Sequence, residues 1–446
     1  VTGVQTCALP ILILKKGSSP NVVDASGSGP TALDSSTETD SAFAIDDTLP
    51  SGFALNAAAT SSDVSSSATL GWTMGDTSSF ARTAMLVGAS GVNAGGASAA
   101  QVRQAFGENN GETGVGVKVG VLSDSFNNKG GASTDESSGA LPTAGNVQIL
   151  KDLSSGGSDE GRAMMQIIHD LAPSASLAFY TAFAGEQDFA NGILALAAAG
   201  CKVICDDVSY FDEPFFQNGV IGKAIETVLA QGVTFVSAAG NSGSTAYQSS
   251  WSGISGTFDG VALTNTLSFA GSLTQTITVG ANSSYSVPLM VEWSQPYGAA
   301  TTNLELLVFK NGSLYTTATH TSVGESTNPW TFAYLPGGAT YQIAIENLSG
   351  ANPALVKEIV AGNGLPVSVS GANAGTVFGH ALTPGNIAVA AVSTANTPAF
   401  GVNPATIESF SSYGNGSQFF YNDSGIAYAS AIPLSTGGSP STTQPP

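Results

Sequence analysis

Between residues 115 and 243, short β-branched runs alternate with stretches of helical period, and this narrows the fold more than anything else in the chain. Residues 115–122 (VGVKVGVL), 177–181, 202–205 and 233–237 read as strands, whereas 186–199 and 216–230 read as helices. A further helix is predicted from Glu160, because Met164, Ile167, Ile168 and Leu171 recur at i, i+3, i+4, i+7. Strands joined through helices need crossover connections, so the sheet they form is parallel and carries helices on its faces.

Beyond Ser244 the pattern changes. Residues 247–369 hold short alternating segments (289–293, 304–309, 330–334, 341–345), punctuated by Asn311-Gly312 and Pro336-Gly337-Gly338. That is the pattern of an antiparallel β-sandwich. The earlier style returns over 376–413, with another core strand at 387–392, so the sandwich is expected as an insertion in the α/β unit. The chain then divides into 1–97, 98–246, 247–369, 370–434 and a low-complexity tail, 435–446. Within 1–97, residues 1–11 (VTGVQTCALPI) read as translated sequencing adapter, and the remainder as a flexible leader or the remnant of a pro-segment. A short helix is expected over 99–106 and a long polar excursion over 127–153.

Only 10% of the 446 residues are charged, 54 are glycine and the net charge is −20, a profile that suits a bacterial secreted or cell-surface protein. Nucleic acid is a poor partner, since phosphate binding needs clustered Lys and Arg. No apolar run reaches membrane-spanning length. Three cysteines make no disulfide framework: Cys7 lies in the adapter-like start, and Cys201 and Cys205, spaced i, i+4 on one strand face, are expected as buried free thiols.

Functional groups of an open parallel sheet gather at the carboxyl ends of its strands. Asp124 closes the first strand, Asn241 follows another, and the helix starting at Glu160 begins on the same edge. Three polar residues distant in sequence are thus expected to converge. Taken singly, each has a plainer reading: Asp124 and Asn241 as turn residues, Glu160 as a helix-start carboxylate favoured by the dipole, with Ser158 or Asp159 capping.

These segments resemble those of the subtilisin-like and sedolisin-like serine peptidases. Residues 119–125 (VGVLSDS) resemble the segment ending in the catalytic Asp, 238–243 (AAGNSG) the one carrying the oxyanion-hole Asn, and 410–414 (FSSYG) one preceding the nucleophile. The Glu160-Gly161 pair stands where subtilisins have His-Gly, and sedolisins use a Glu base there. Met164 stands where sedolisins have an Asp, and Asn241 follows the subtilisin pattern. The resemblance implies a subtilisin-like doubly wound parallel sheet with the β-sandwich inserted. It also implies a serine endopeptidase acting on protein or peptide substrates, with Glu160 as general base, Asp124 as its acidic partner sharing a proton, and Asn241 in the oxyanion hole. Ser209 and Tyr210 fall where the substrate-pairing strand lies in that family, with Asp207 beside them in the substrate-binding region. No Gly-Thr-Ser nucleophile motif occurs in these residues, and it is expected beyond residue 446, so the fragment itself should not hydrolyse peptides. A Glu in place of His implies an acidic optimum.

The strand-end pair Asp206 and Asp207 has further readings: a carboxylate that compensates for Met164, a ligand for structural calcium, or a solvated strand end. Tyr210, Phe211, Phe215 and Phe216 suit either a specificity pocket or core packing. His169 lies on the opposite helix face from Glu160, and His320 and His380 have no ligand-like company in sequence, so a metal–His site is not expected. A reading from another class is a catalytically inactive relative acting as a surface binding or adhesion module. The sequence leaves the oligomeric state open.

Overall fold

The computed structural model describes residues 113–434 except 282–284, 321–326, 363–364, 393–401, 403–405 and 415, together with Thr2–Thr6 and Ala42–Phe43. The leader over 12–97, the helix over 99–106 and the tail 435–446 therefore fall, apart from Ala42–Phe43, outside the described residues.

The first part of the fold contains β1 (Lys118–Ser123), β2 (Val147–Lys151), β3 (Ser176–Thr181), β4 (Val203–Asp206), the short β5 (Val208–Tyr210) and β6 (Thr234–Ala238). Its helices are α1 (Ala132–Ser138), α2 (Glu160–Leu171), α3 (Glu186–Ala198) and α4 (Val220–Ala230). All sheet pairings are parallel, in the order β6-β4-β1-β3-β2. The excursion over 127–153 is more structured than its composition suggests, because it supplies α1 and the edge strand β2.

Strand alternation sends the side chains to two cores. Val119, Val121, Leu177, Phe179 and Cys205 face one side with Met164, Met165 and Ile168 of α2. Leu122, Ala178, Ile204 and Phe235 face the other with Phe189, Ile193, Ile221 and Ile225 of α3 and α4. Both faces of the sheet are thus covered, which is why its strands read as near-continuous apolar runs. Cys201 precedes β4 instead of lying on it, so alternation does not apply to it. It packs in the α3/α4 core while Cys205 packs against α2, opposite faces where one was expected, and both are buried free thiols.

Eleven antiparallel strands follow: β7 (Ala246–Ser249), β8 (Gly253–Phe258), β9 (Val261–Leu267), β10 (Gln275–Val279), β11 (Ser286–Trp293), β12 (Asn303–Lys310), β13 (Ser313–Thr319), β14 (Trp330–Pro336), β15 (Ala339–Ser349), β16 (Val356–Val360) and β17 (Val367–Val369). One sheet has the order β14-β11-β16-β7, and the other β8-β9-β15-β10-β17, with β12 on β15 and β13 on β12. Leu289, Val291 and Trp293 of the first sheet meet Leu304, Leu306, Ile343 and Ile345 of the second in one core. β18 (Ile387–Val389) then returns to the parallel sheet beside β6, and β19 (Gln418–Tyr421) pairs with β20 (Ala427–Pro433). The chain is therefore α/β with a six-stranded parallel sheet, and an antiparallel sandwich lies in sequence between β6 and β18.

β11 is buried on both faces. Its other side sends Met290 into a cluster with Leu355, Ile359, Phe211, Phe215, Phe216 and Phe378. Next to it, Glu292 accepts the Phe215 N–H at 2.9 and 3.0 Å, and burial pushes its carboxyl well above the usual range. The aromatics after β5 therefore serve core packing at the junction between the sandwich and the α/β unit.

Candidate active site

The loop after β1 leaves toward β2, whereas the chain after β4 leaves toward β6, so the crevice at the carboxyl edge opens between β1 and β4. Asp124 follows β1 directly and is 3% exposed. Its carboxylate accepts the main-chain N–H of Ser125 and of Ser158, the Ser158 hydroxyl at 2.6 Å and the Glu160 N–H at 3.0 Å. Asp124 is thus the cap of α2, supplied from another strand. The local candidates act differently: Asp159 occupies the N-cap position with φ 65° and makes no side-chain cap, and Ser158 donates to Asp124. Burial raises the Asp124 pKa, hydrogen bonds from Ser158 and Ser125 oppose this, and the charge of Asp159 adds to the rise.

Two glycines permit the approach. A Cβ on Gly161 would sit 2.2 Å from Cε2 of Phe179 and 2.9 Å from the Ser125 carbonyl. A Cβ on Gly157, at φ +76°, would meet the Ser125 side chain at 2.4 Å. The helix start is further held by Arg162, which is 2% exposed and pairs with Asp135 at 2.9 Å and Asp159 at 2.7 Å. Asp159 in turn accepts from the Ser125 hydroxyl at 2.8 Å and from the N–H groups of Asn128 and Lys129 at 2.7 and 2.9 Å. α2 is buried all round from Glu160 to Ile168, Arg162 and Gln166 included, and not along one stripe only. Glu160 is buried at its first position, and His169 lies half-buried in its last turn.

Asn241, three residues beyond β6, is buried at the same edge. The segment around it is clasped by the later chain. Ser412 N–H donates to the Gly240 carbonyl at 2.9 Å, Ser242 N–H to the Ser412 hydroxyl at 3.1 Å, and Gly243 N–H to the Phe410 carbonyl at 2.8 Å. Segments 238–243 and 410–414, linked in sequence only by resemblance, thus lie against each other.

The side chains after β4 differ from expectation. Asp207 is fully buried, so its carboxyl lines no open cleft. The Tyr210 ring is buried too: its hydroxyl donates to the Ala182 carbonyl at 2.6 Å and accepts from Gly185 N–H at 3.0 Å, leaving only main chain for a partner. That main chain is paired, since Thr2–Thr6 runs antiparallel to it with Val4 opposite Tyr210 and Thr6 opposite Val208. Ser209 lies between them, opposite Gln5.

His380 also departs from its sequence reading. It lies in a short 3-10 turn, Gly379–Leu382, buried between two carboxylates, Glu213 at 2.8 Å from Nδ1 and Asp206 at 3.1 Å from Nε2. Burial alone would lower the imidazole pKa, but Glu213 and Asp206 outweigh it and push it up to about 10. Asp206 also accepts from the Ser237 hydroxyl at 2.6 Å, and Glu213 from the Tyr210 N–H at 3.1 Å. This ion cluster ties β4, β5 and β6 to the chain that follows the sandwich. The one available signal was alternation: Ile204 packs in the α3/α4 core, so Asp206, two residues on in β4, points to the same side. Among the described residues, no group of three or more His, Cys, Asp or Glu side chains is arranged to hold a metal ion. Nor is any helix among them long and apolar enough to cross a membrane.

No protein-family model matches the sequence, and no curated protein matches it. Among solved structures, the chain is similar to the CspB protease of Clostridium perfringens at 12% identity and a TM-score of 0.41, over 73% of this chain and 77% of that one. It is similar to the patellamide maturation protease PatA at 20% identity and a TM-score of 0.22, over 29% and 50% of the two chains. With the self-cleaved protease domain of PatA the values are 17%, 0.20, 29% and 52%. Likeness at this level says nothing about activity.

Proposed function

We propose that this chain carries most of the active centre of a serine-type endopeptidase of the subtilase and sedolisin group, secreted or on the cell surface. The observation that carries the reading is the union of three segments at one sheet edge, where Asp124 at the end of β1 holds the start of α2 and Asn241 follows β6. In this reading Glu160 takes the proton of a serine hydroxyl as general base, with Asp124 as its acidic partner. Asn241 donates its side-chain N–H to the developing oxyanion, a role worth roughly 3–4 kcal/mol in related chemistry. The edge of Ser209 and Tyr210 binds the peptide by main-chain hydrogen bonds. The nucleophile comes from a Gly-Thr-Ser segment, which these 446 residues do not contain.

A serine-directed fluorophosphonate probe tests this on a longer protein that includes such a segment. Labelling of that serine at acidic pH is expected, together with its loss in Glu160→Gln. A folded protein that takes no label favours the inactive binding module instead.

A further inference from the structure

A cavity of about 390 Å³ opens where the α/β unit, the sandwich and the β19–β20 hairpin meet. Its walls come from Glu186 at the first position of α3, residues 212–223 around the start of α4, Tyr297 and Asn328 of the sandwich, and the turn 423–425. Since α3 follows β3 and α4 follows β4 and β5, both helices begin at the carboxyl ends of the strands, the edge to which Asp124 belongs. Side chains fasten the walls to one another. The Tyr297 hydroxyl donates to the Asp212 carbonyl at 2.9 Å, and Asn218 Nδ2 donates to Glu226 at 2.7 Å and to Asp423 at 3.3 Å.

The lining has two chemical characters. Glu186, Asp212 and Asp423 bring carboxylates, and Glu226 stands behind Asp423 on the same Asn218 amide. Lys223 is the one basic residue of the lining, and its charge already acts on Glu226, one turn further along α4. Donors come from Gln217, which is 5% exposed. Its Oε1 accepts the Tyr297 N–H at 3.1 Å, which fixes the amide and turns Nε2 away from that contact. Among the described residues this Nε2 has no acceptor, although the side chain lines the cavity. Beside it α4 begins at Val220 with no side-chain cap. A buried amide donor is costly to leave without an acceptor. A metal ion would use the carboxylates and leave the donors idle, and a polyamine carries no acceptor for Gln217. The ligand that fits brings a cation and an acceptor oxygen a few bonds apart.

We propose that this cavity binds a basic amino-acid residue. Its ammonium or guanidinium lies against Glu186, Asp212 and Asp423, and a carbonyl or carboxylate oxygen accepts from Gln217 Nε2 and the start of α4. This binding needs no hydrolysis.

Titration calorimetry on the 446-residue chain, with a blocked tripeptide that has arginine at its centre, tests the site. The same peptide with citrulline, equal in shape but uncharged, should bind about tenfold more weakly. Asp212→Asn and Asp423→Asn keep the size of the side chain, and at 423 the acceptor for Asn218. Each should weaken the arginine peptide by about the same factor. Asp259→Asn, on the exposed turn between β8 and β9, should leave its affinity unchanged, which separates the cavity from general attraction to an acidic protein. Free arginine binding more tightly than the blocked peptide assigns a free amino acid, and the reverse order assigns a residue within a chain; both support the site. No saturable binding, equal affinity for the arginine and citrulline peptides, or equal losses in Asp259→Asn and the cavity variants would overturn it. Failure of serine labelling in the longer protein would count against the peptidase reading alone.

Discussion

At the scale of single residues, Gly161 and His380 carry the sharpest consequences. The Cβ of an alanine at 161 would meet the Phe179 ring and the Ser125 carbonyl, and the carbonyl cannot turn away as a flexible side chain would. Overpacking of this kind costs about 1–3 kcal/mol, so Gly161→Ala should lower the urea midpoint without changing the fold seen by circular dichroism. His380 works through charge. Its folded pKa of about 10 lies above the ordinary 6.5, so its contribution is fully present below about 6.5 and lost as pH rises through about 10. Removing it leaves Asp206 and Glu213 buried without their cation, a change that costs on the order of 3–5 kcal/mol. His380→Ala should therefore be less stable at neutral pH, and its deficit should shrink toward pH 10, as measured by urea denaturation across that window. An undiminished deficit at high pH would show the imidazole acting by shape alone.

At the scale of elements, the start of α2 is fixed by partners from outside the helix. Asp124 satisfies N–H groups that a local cap would otherwise take, and Arg162 joins α2 to the loop that precedes α1 through the carbonyls of Phe126 and Gly130. Truncating Arg162 leaves Asp135 and Asp159 facing each other without a counter-charge. Arg162→Ala should cost on the order of 3–5 kcal/mol and open residues 125–135 to limited proteolysis before the rest of the chain. Equal cleavage rates in wild type and variant would refute the role given to Arg162. The helix was legible from Met164, Ile167 and Ile168, because a 3.6-residue period survives whatever the helix packs against. Its burial on every side was not, since Arg162 and Gln166 look like a solvated face until their partners are known.

At the scale of the whole molecule, the sandwich is joined to the α/β unit through Met290, Glu292 and Ile359 on one side and Phe211, Phe215 and Phe216 on the other. The shared apolar surface predicts one calorimetric unfolding transition. Phe215→Ala should lower it as a whole, by about 3–5 kcal/mol. Two separate transitions, with only one of them moved, would mean that the sandwich is an independent spacer. The junction was hidden in the sequence because β11 reads as a half-exposed strand in which Glu292 belongs to solvent. In the fold that face meets Phe215.

The sequence by itself determined the local periods and therefore the parallel sheet, its helices, the antiparallel strands and the edge on which Asp124, Glu160 and Asn241 lie. The periods follow from which residues avoid water, and that is written along the chain. Which charges become partners was decided only by the tertiary structure. Asp124 as the cap of α2 and His380 between Asp206 and Glu213 each join residues more than thirty positions apart. Burial changes the energy of a charge by more than any local propensity, and burial exists only once the layers have closed.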